Sequence, residues 1–174
     1  MEWRVMKQNM IGYGRAVLAT LALMFAGGTA GAQDAGAIAR VQGGASCQGC
    51  NLFQANLSYR EITGRNLRNA NLRQSDLTIA ILDGSRFDGA NLSIANLYGV
   101  RGTGTNFARA NLERAILVGT VFDGANFRGA TLSGANLSGA ELGRARGLTQ
   151  AQLNTACGDA STRLPQGLSV PFCR

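Results

Sequence analysis

The sequence predicts an all-β solenoid, a column of short units wound so that each turn stacks on the one before. Two observations predict it. From Leu52 to Leu142 a large apolar residue returns at every fifth position, and 18 of these 19 positions are Leu, Ile or Phe. Two places before each, the residue is small: Ala in 11 cases, and Cys, Ser or Thr in five more. A period of five fits neither a helix, which needs spacings of three and four, nor a simple strand, which needs two. A short period held without a slip is the mark of a repeat architecture.

With the large residue taken as position i, the units read Ala55-Asn56-Leu57, Ala70-Asn71-Leu72, Ala90-Asn91-Leu92, Ala110-Asn111-Leu112 and Ala135-Asn136-Leu137. Position i−1 is Asn in ten of the 19 units. This pattern resembles the pentapeptide-repeat family, whose unit is A-(D/N)-L-x-x. The resemblance covers residues 50 to about 146 and implies a right-handed quadrilateral parallel β-helix, with four pentapeptides per coil and just under five coils. It also implies that positions i and i−2 face inward and the other three outward. Inward Leu and Phe then stack into a dry column, each burial contributing about 1.5–3 kcal/mol before ordering costs. Coils would stack at roughly 4.8 Å, the spacing of hydrogen-bonded strands.

Three units depart from the pattern. Gly102 stands where a core Leu belongs, and Phe107 restores the register with no insertion, so a local void or bulge is expected there. Arg60 and Arg65 occupy i−2 positions, where an unpaired guanidinium is costly to bury. Both belong to the first coil, so either they escape past its open end or the coil is distorted.

The regions flanking the repeat divide the chain further. Residues 1–32 have the layout of a secretory signal peptide: Arg4, Lys7 and Arg15 ahead of the apolar run Ala16–Ala26, then Ala30-Gly31-Ala32 as a cleavage pattern. That run is shorter than the roughly 20 residues of a membrane span, so no span is expected after cleavage, and the address is the bacterial periplasm or the cell exterior. Residues 33–49 read as a lead-in or N-terminal cap with at most a helical turn around Ala35–Val41. Residues 50–147 are the repeat. Residues 148–174 form a C-terminal cap, in which Thr149 and Gln152 make a capping box for a helix to Cys157, stopped by Gly158.

Four cysteines remain. Cys47 and Cys50 form a Cys-x-x-Cys that lacks the strand-to-helix setting of a thioredoxin-like redox pair, since repeat sequence follows directly, and also lacks the His of a haem site and the further nearby ligands of a zinc site. A local disulfide or two buried thiols are left, and export favours the disulfide. Extending the register backwards places Cys47 at i and Cys50 at i−2, at the top of the column. Cys157 and Cys173 are expected to bridge the tail back onto its helix, since the two ends of the column lie too far apart for other pairings.

Read in twenties, the repeat becomes four faces. One carries Arg68, Arg86, Arg109 and Arg128, continued by Arg146, with Asp88 as its one acid. Its neighbour carries Glu61, Asp83, Asp123 and Glu141, which could pair with those arginines across the shared corner. A third face holds one charge, Asp76, and shows Tyr59, Ile79, Tyr98, Ile116 and Val118.

Without residues 1–32 the chain has 14 arginines, no lysine and nine acids, leaving +5. There is no histidine for acid–base work and no Ser or Cys nucleophile with a base partner. An enzyme, a cofactor and a small-molecule substrate are therefore not expected. Two binding functions are: a non-catalytic scaffold that meets a protein partner or a second copy through the uncharged face, and the capture of an anionic polymer, nucleic acid or an acidic envelope glycan, along the arginines. Some pentapeptide-repeat proteins resemble duplex DNA in shape and negative charge and protect DNA gyrase. The basic charge and the leader of this chain depart from that role, which is not carried over.

Overall fold

Five repeated backbone positions build most of the chain described by the computed structural model, which covers residues Gln33–Arg174. The leader expected at residues 1–32 lies outside the described residues. Within the repeat, the N–H of Leu52 donates to the carbonyl of Asn71 at 2.7 Å, and the N–H of Asn71 donates to the carbonyl of Cys50 at 2.8 Å. Parallel bridges link Asn51 to Asn71, Asn71 to Asn91, Asn91 to Asn111 and Asn111 to Thr131, and the other three sides pair at the same interval. Each coil therefore takes twenty residues and has four sides. At each corner the chain turns tightly: the N–H of Ala55 returns to the carbonyl of Leu52 at 3.0 Å. The third residue of that turn, Gln54, has φ 53°, the positive value a type II turn requires.

The asparagines at i−1 have a structural reason. The N–H of position i+1 points outward with no neighbouring coil to bond. The Asn side chain one residue before i accepts it, as Asn56 does from Ser58 at 3.1 Å and Asn126 from Arg128 at 3.0 Å. An Asx side chain bonding the backbone two residues on is a common local closure of this kind. Where i−1 is Arg101, an acid from the coil above substitutes, and Asp83 accepts from Thr103 N–H at 2.8 Å.

Inside the column the large residues are fully buried, as are the alanines beside them. Phe87, Phe107 and Phe127 stack on one side with ring centroids 5.5 and 5.2 Å apart. Phe122 meets Phe107 and Phe127 edge-on at 5.2 and 5.6 Å, an arrangement aromatic quadrupoles favour. The expected void at Gly102 is absent. A Cβ placed there would lie 2.6 Å from the Phe122 ring. The ring from the coil below fills the space, and the register runs through unbroken.

Arg60 and Arg65 are exposed, so neither guanidinium enters the column. The corner between Ile62 and Arg65 is also opened. The buried hydroxyl of Ser85 accepts from Arg65 N–H at 2.9 Å and donates to the Ile62 carbonyl, bridging the two groups that the turn would have joined.

Both ends are covered. Above the first coil lies helix α1, Ala35–Gln42, capped by the Asp34 carboxylate on Ala37 N–H at 2.8 Å. It has two turns where at most one was expected. The cap and the buried pair Ala37 and Val41, which joins the core, explain the extra turn. Gln42 donates to the Asn56 carbonyl at 2.8 Å and Ser46 accepts from Asn66 N–H at 3.0 Å, closing polar groups of the upper edge.

Below the last coil lies helix α2, Gln150–Leu153, with both bonds of the Thr149/Gln152 capping box present. It is shorter than the helix to Cys157 that the sequence suggested. Cys157 pairs instead with Asn136, and Gly158 pairs with Phe172 rather than ending a helix. The tail thus lies along the lower edge. Gln152 donates to the carbonyls of Phe127 and Ala130 at 3.0 and 2.7 Å, and Thr162 donates to that of Leu137 at 3.0 Å. Disulfides join Cys47 to Cys50 and Cys157 to Cys173.

Asp159 ties the tail to the column, accepting from Gly139 N–H at 3.0 Å and from the Ser161 hydroxyl at 2.7 Å. The Ser161 hydroxyl foremost, then the Gly139 N–H, lowers its pKa to about 2. These bonds favour the ionised form, so their contribution is complete above the ordinary carboxylate range and fades as pH falls through about 2. An NMR titration of the Asp159 carboxyl is expected to give a midpoint near 2. A midpoint in the ordinary carboxylate range would show that the tail is not held in this way.

Candidate anion-binding cleft

The outward positions on the side formed by Leu67, Phe87, Phe107 and Phe127 decide its shape. Position i+1 runs Arg68, Asp88, Ala108, Arg128 from coil to coil. The methyl of Ala108 leaves a dent between the larger side chains of Asp88 and Arg128. Around it opens a cleft of about 590 Å³ lined by Arg68, Arg86, Asp88, Asn106, Ala108, Arg109, Asn126, Arg128 and Gly129. Four guanidiniums thus face one carboxylate.

That carboxylate is committed. Asp88 is 5% exposed. It accepts from Arg68 Nε at 2.5 Å, from Arg86 Nε at 3.4 Å and from Asn106 Nδ2 at 3.3 Å. Asn126 Nδ2 in turn donates to Asn106 Oδ1 at 3.1 Å. The line Asn126–Asn106–Asp88 fixes the floor, and the two arginines are anchored through Nε, which leaves their terminal nitrogens for a ligand. Arg109 and Arg128 form no ion pair among the described residues. A guanidinium presents paired donors in one plane, matched to carboxylate, phosphate or sulfate oxygens. Four guanidiniums around one buried, already bonded carboxylate equip the cleft to hold an anion.

Sequence positions alone missed two points here. Arg146 pairs in register with Asn126, but its Nε donates to the Gly124 carbonyl at 3.2 Å and it does not line the cleft. The acids of the adjoining face do not reach the arginine line either. Asp83 pairs with Arg101 at 2.8 Å and Asp123 with Arg144 at 3.2 Å, both within their own face. The arginine cleft is consequently left with Asp88 as its one counter-charge. Ala108 was the overlooked signal, a small residue at an outward position flanked above and below by charge.

On the uncharged face, Tyr59 is 72% exposed, Tyr98 50%, Ile79 47% and Ile116 42%, while Val118 is half-buried. Among the described residues no helix is long and apolar enough to cross a membrane, and no cluster of His, Cys, Asp and Glu could hold a metal ion.

Twenty residues per coil, four sides and a Leu/Phe column define a solenoid of five-residue units. The sequence comparisons agree: the family model for pentapeptide repeats matches in eight copies over residues 66–101 and 105–144. This chain is a pentapeptide-repeat protein, and proteins of this family fold as right-handed quadrilateral β-helices. No curated protein matches the chain. Among solved structures it is similar to the pentapeptide-repeat protein Rfr23 of the cyanobacterium Cyanothece 51142, at 27% identity over 74% of this chain and 97% of that one, with a TM-score of 0.32. It is similar to HetL of Nostoc sp. strain PCC 7120, involved in heterocyst differentiation regulation, at 26% identity over 70% and 58% of the two chains and a TM-score of 0.26. A third, QnrB1, is a plasmid-mediated fluoroquinolone resistance protein; identity is 21% and the TM-score 0.41. This chain spans 55% of the length of QnrB1. Pentapeptide-repeat proteins are generally structural or binding proteins.

Proposed function

We propose that this protein is a non-catalytic, exported binding scaffold whose ligand is an anionic polymer, held along the arginine cleft. One observation carries the reading: four arginines line a single cleft whose one acid is buried and already bonded to two of them. A polymer suits the site because Arg68, Arg86, Arg109 and Arg128 come from successive coils. They offer a ladder of cations along the axis that one chain of repeated negative groups can follow. An export leader is expected at residues 1–32, which supports the reading of a ligand met outside the cytoplasm, and two disulfides are compatible with an oxidising compartment. The test is retention on a phosphate-rich matrix. Replacing Arg86, Arg109 and Arg128 with Ser is expected to abolish retention at moderate salt, and unchanged retention refutes the reading.

A second reading is favoured by the uncharged face. Tyr59 and Ile79 are exposed there while holding φ of 59° and 57°, a conformation that costs non-glycine residues about 1–2 kcal/mol each. Large apolar side chains kept at that cost suit contact with a protein partner or a second copy. Light scattering that finds only monomer, together with a Tyr98→Glu variant that loses no binding, excludes it.

A further inference from the structure

The two disulfides sit in different surroundings. Cys157–Cys173 closes a separation of 16 residues and holds the tail. Cys47–Cys50 closes a separation of three, so it restrains the unfolded chain far less. The upper end is also held without it. Helix α1 contributes Ala37 and Val41 to the core, and the Cys47 N–H bonds the Asn66 carbonyl at 2.8 Å. What the short disulfide has in addition is a cation. Arg40, in the last turn of α1, places Nη2 3.7 Å from Cys47 Sγ and 4.0 Å from Cys50 Sγ. Among the described residues no acid pairs with Arg40. A guanidinium directed at two sulfurs favours the thiolate, and a stabilised thiolate is the better leaving group in disulfide exchange. Access is unequal as well: Cys47 is 5% exposed, whereas Cys50 is half-buried at the rim.

We propose that Cys47–Cys50 is an exchangeable, electron-accepting disulfide whose reductant is a protein dithiol, with Arg40 as the positioning residue that holds the Cys47 thiolate. The partner's thiolate attacks Cys50 Sγ, the accessible sulfur. A partner–Cys50 bond forms, the Cys47–Cys50 bond breaks, and its electron pair stays on Cys47 beneath Arg40. The partner's second thiol then loses its proton to water and, as a thiolate, attacks its own neighbouring sulfur, releasing Cys50 as a thiolate. The partner dithiol is oxidised to a disulfide, and the Cys47/Cys50 pair is reduced. The step uses no residue of the arginine cleft and is independent of the binding function.

The experiment equilibrates the full chain, with its disulfides formed, in a series of dithiothreitol redox buffers at pH 8.5. Free thiols are alkylated and each pair is scored by peptide mass spectrometry. Cys47–Cys50 is expected to reduce while Cys157–Cys173 stays oxidised. Arg40→Gln should shift the Cys47–Cys50 equilibrium about fivefold toward the disulfide, because the thiolate loses its cation. Arg40→Lys should recover most of that shift, and neither variant should move Cys157–Cys173, which serves as the internal check on folding. If Cys47–Cys50 resists reduction as strongly as Cys157–Cys173, or if Arg40→Gln leaves its equilibrium unchanged, the proposal is overturned.

Discussion

Restoring the repeat consensus at position 102 is expected to destabilise the protein. Leu is the commonest residue at the inward position, and Gly102 is the one exception among the 19 units. A consensus argument would therefore count Gly102→Leu as an improvement. The packing says otherwise, since even a Cβ at Gly102 would sit 2.6 Å from the Phe122 ring and 2.8 Å from Thr105 Oγ1. Thr105 cannot yield freely, because its hydroxyl is buried and donates to the Leu82 carbonyl at 2.9 Å. Phe122 is held by its edge-on contacts with Phe107 and Phe127. Overpacking of this kind costs about 1–3 kcal/mol, and Leu adds three carbons beyond the Cβ, so the upper part of that range is expected. Adding Phe122→Leu to the Gly102→Leu chain should recover much of the loss, while Phe122→Leu alone should be destabilising. Denaturant melts of the four proteins check this. Additive effects of the two substitutions would mean that they do not share one space.

Opening the lower disulfide is expected to have an effect of similar size. The Cys157–Cys173 link spans 16 residues, for which the chain-entropy account gives about 3 kcal/mol. The tail it secures lies along the last coil, where Thr162 donates to the Leu137 carbonyl, next to helix α2, whose Gln152 donates to the carbonyls of Phe127 and Ala130. A Cys157→Ser/Cys173→Ser double variant should melt earlier and, once the tail lifts, self-associate with rising concentration through the uncovered edge. Thermal denaturation followed by light scattering reads both. A variant that melts lower but stays monomeric would show that the edge remains covered without the link.

The arginine cleft was only half legible in the sequence. A period of five, doubled twice into twenty, assigned Arg68, Arg86, Arg109 and Arg128 to one side, because a register without slips converts sequence distance directly into position. Rotamer choice is not periodic. Asp83 and Asp123 could equally have turned toward the arginine line, and only the side-chain positions show that Arg101 and Arg144 claim them. Arg146 keeps its place in the register yet leaves the cleft for a carbonyl. The void expected at Gly102 failed for a related reason: a five-residue pattern treats coils separately, whereas Phe122 fills space belonging to the coil above. The caps were the least legible part. Helix α1 depends on Asp34 and on a two-residue apolar contact within a Gly- and Ala-rich stretch, too little pattern to distinguish from a linker. At the other end, Cys157 re-enters the pairing of the column, which a capping box and a glycine could not reveal.

The asparagines illustrate the opposite case. Their frequency at i−1 was plain, but counting gave no reason for it. The structure supplies one in the outward N–H of position i+1, which each of them closes. That closure leaves the i+1 side chains free to vary, and such variation is what gives one side of a uniform column its cleft.

The most direct measurement is the affinity of the protein for a short single-stranded polyphosphate-backbone oligomer as a function of salt. If the cleft holds the polymer through about three arginines, log K should fall linearly with log salt at a slope near −2, and the Arg86/Arg109/Arg128→Ser variant should lose both the affinity and the slope. Binding that ignores salt, or a slope that survives in the variant, would place the anion elsewhere and contradict the account.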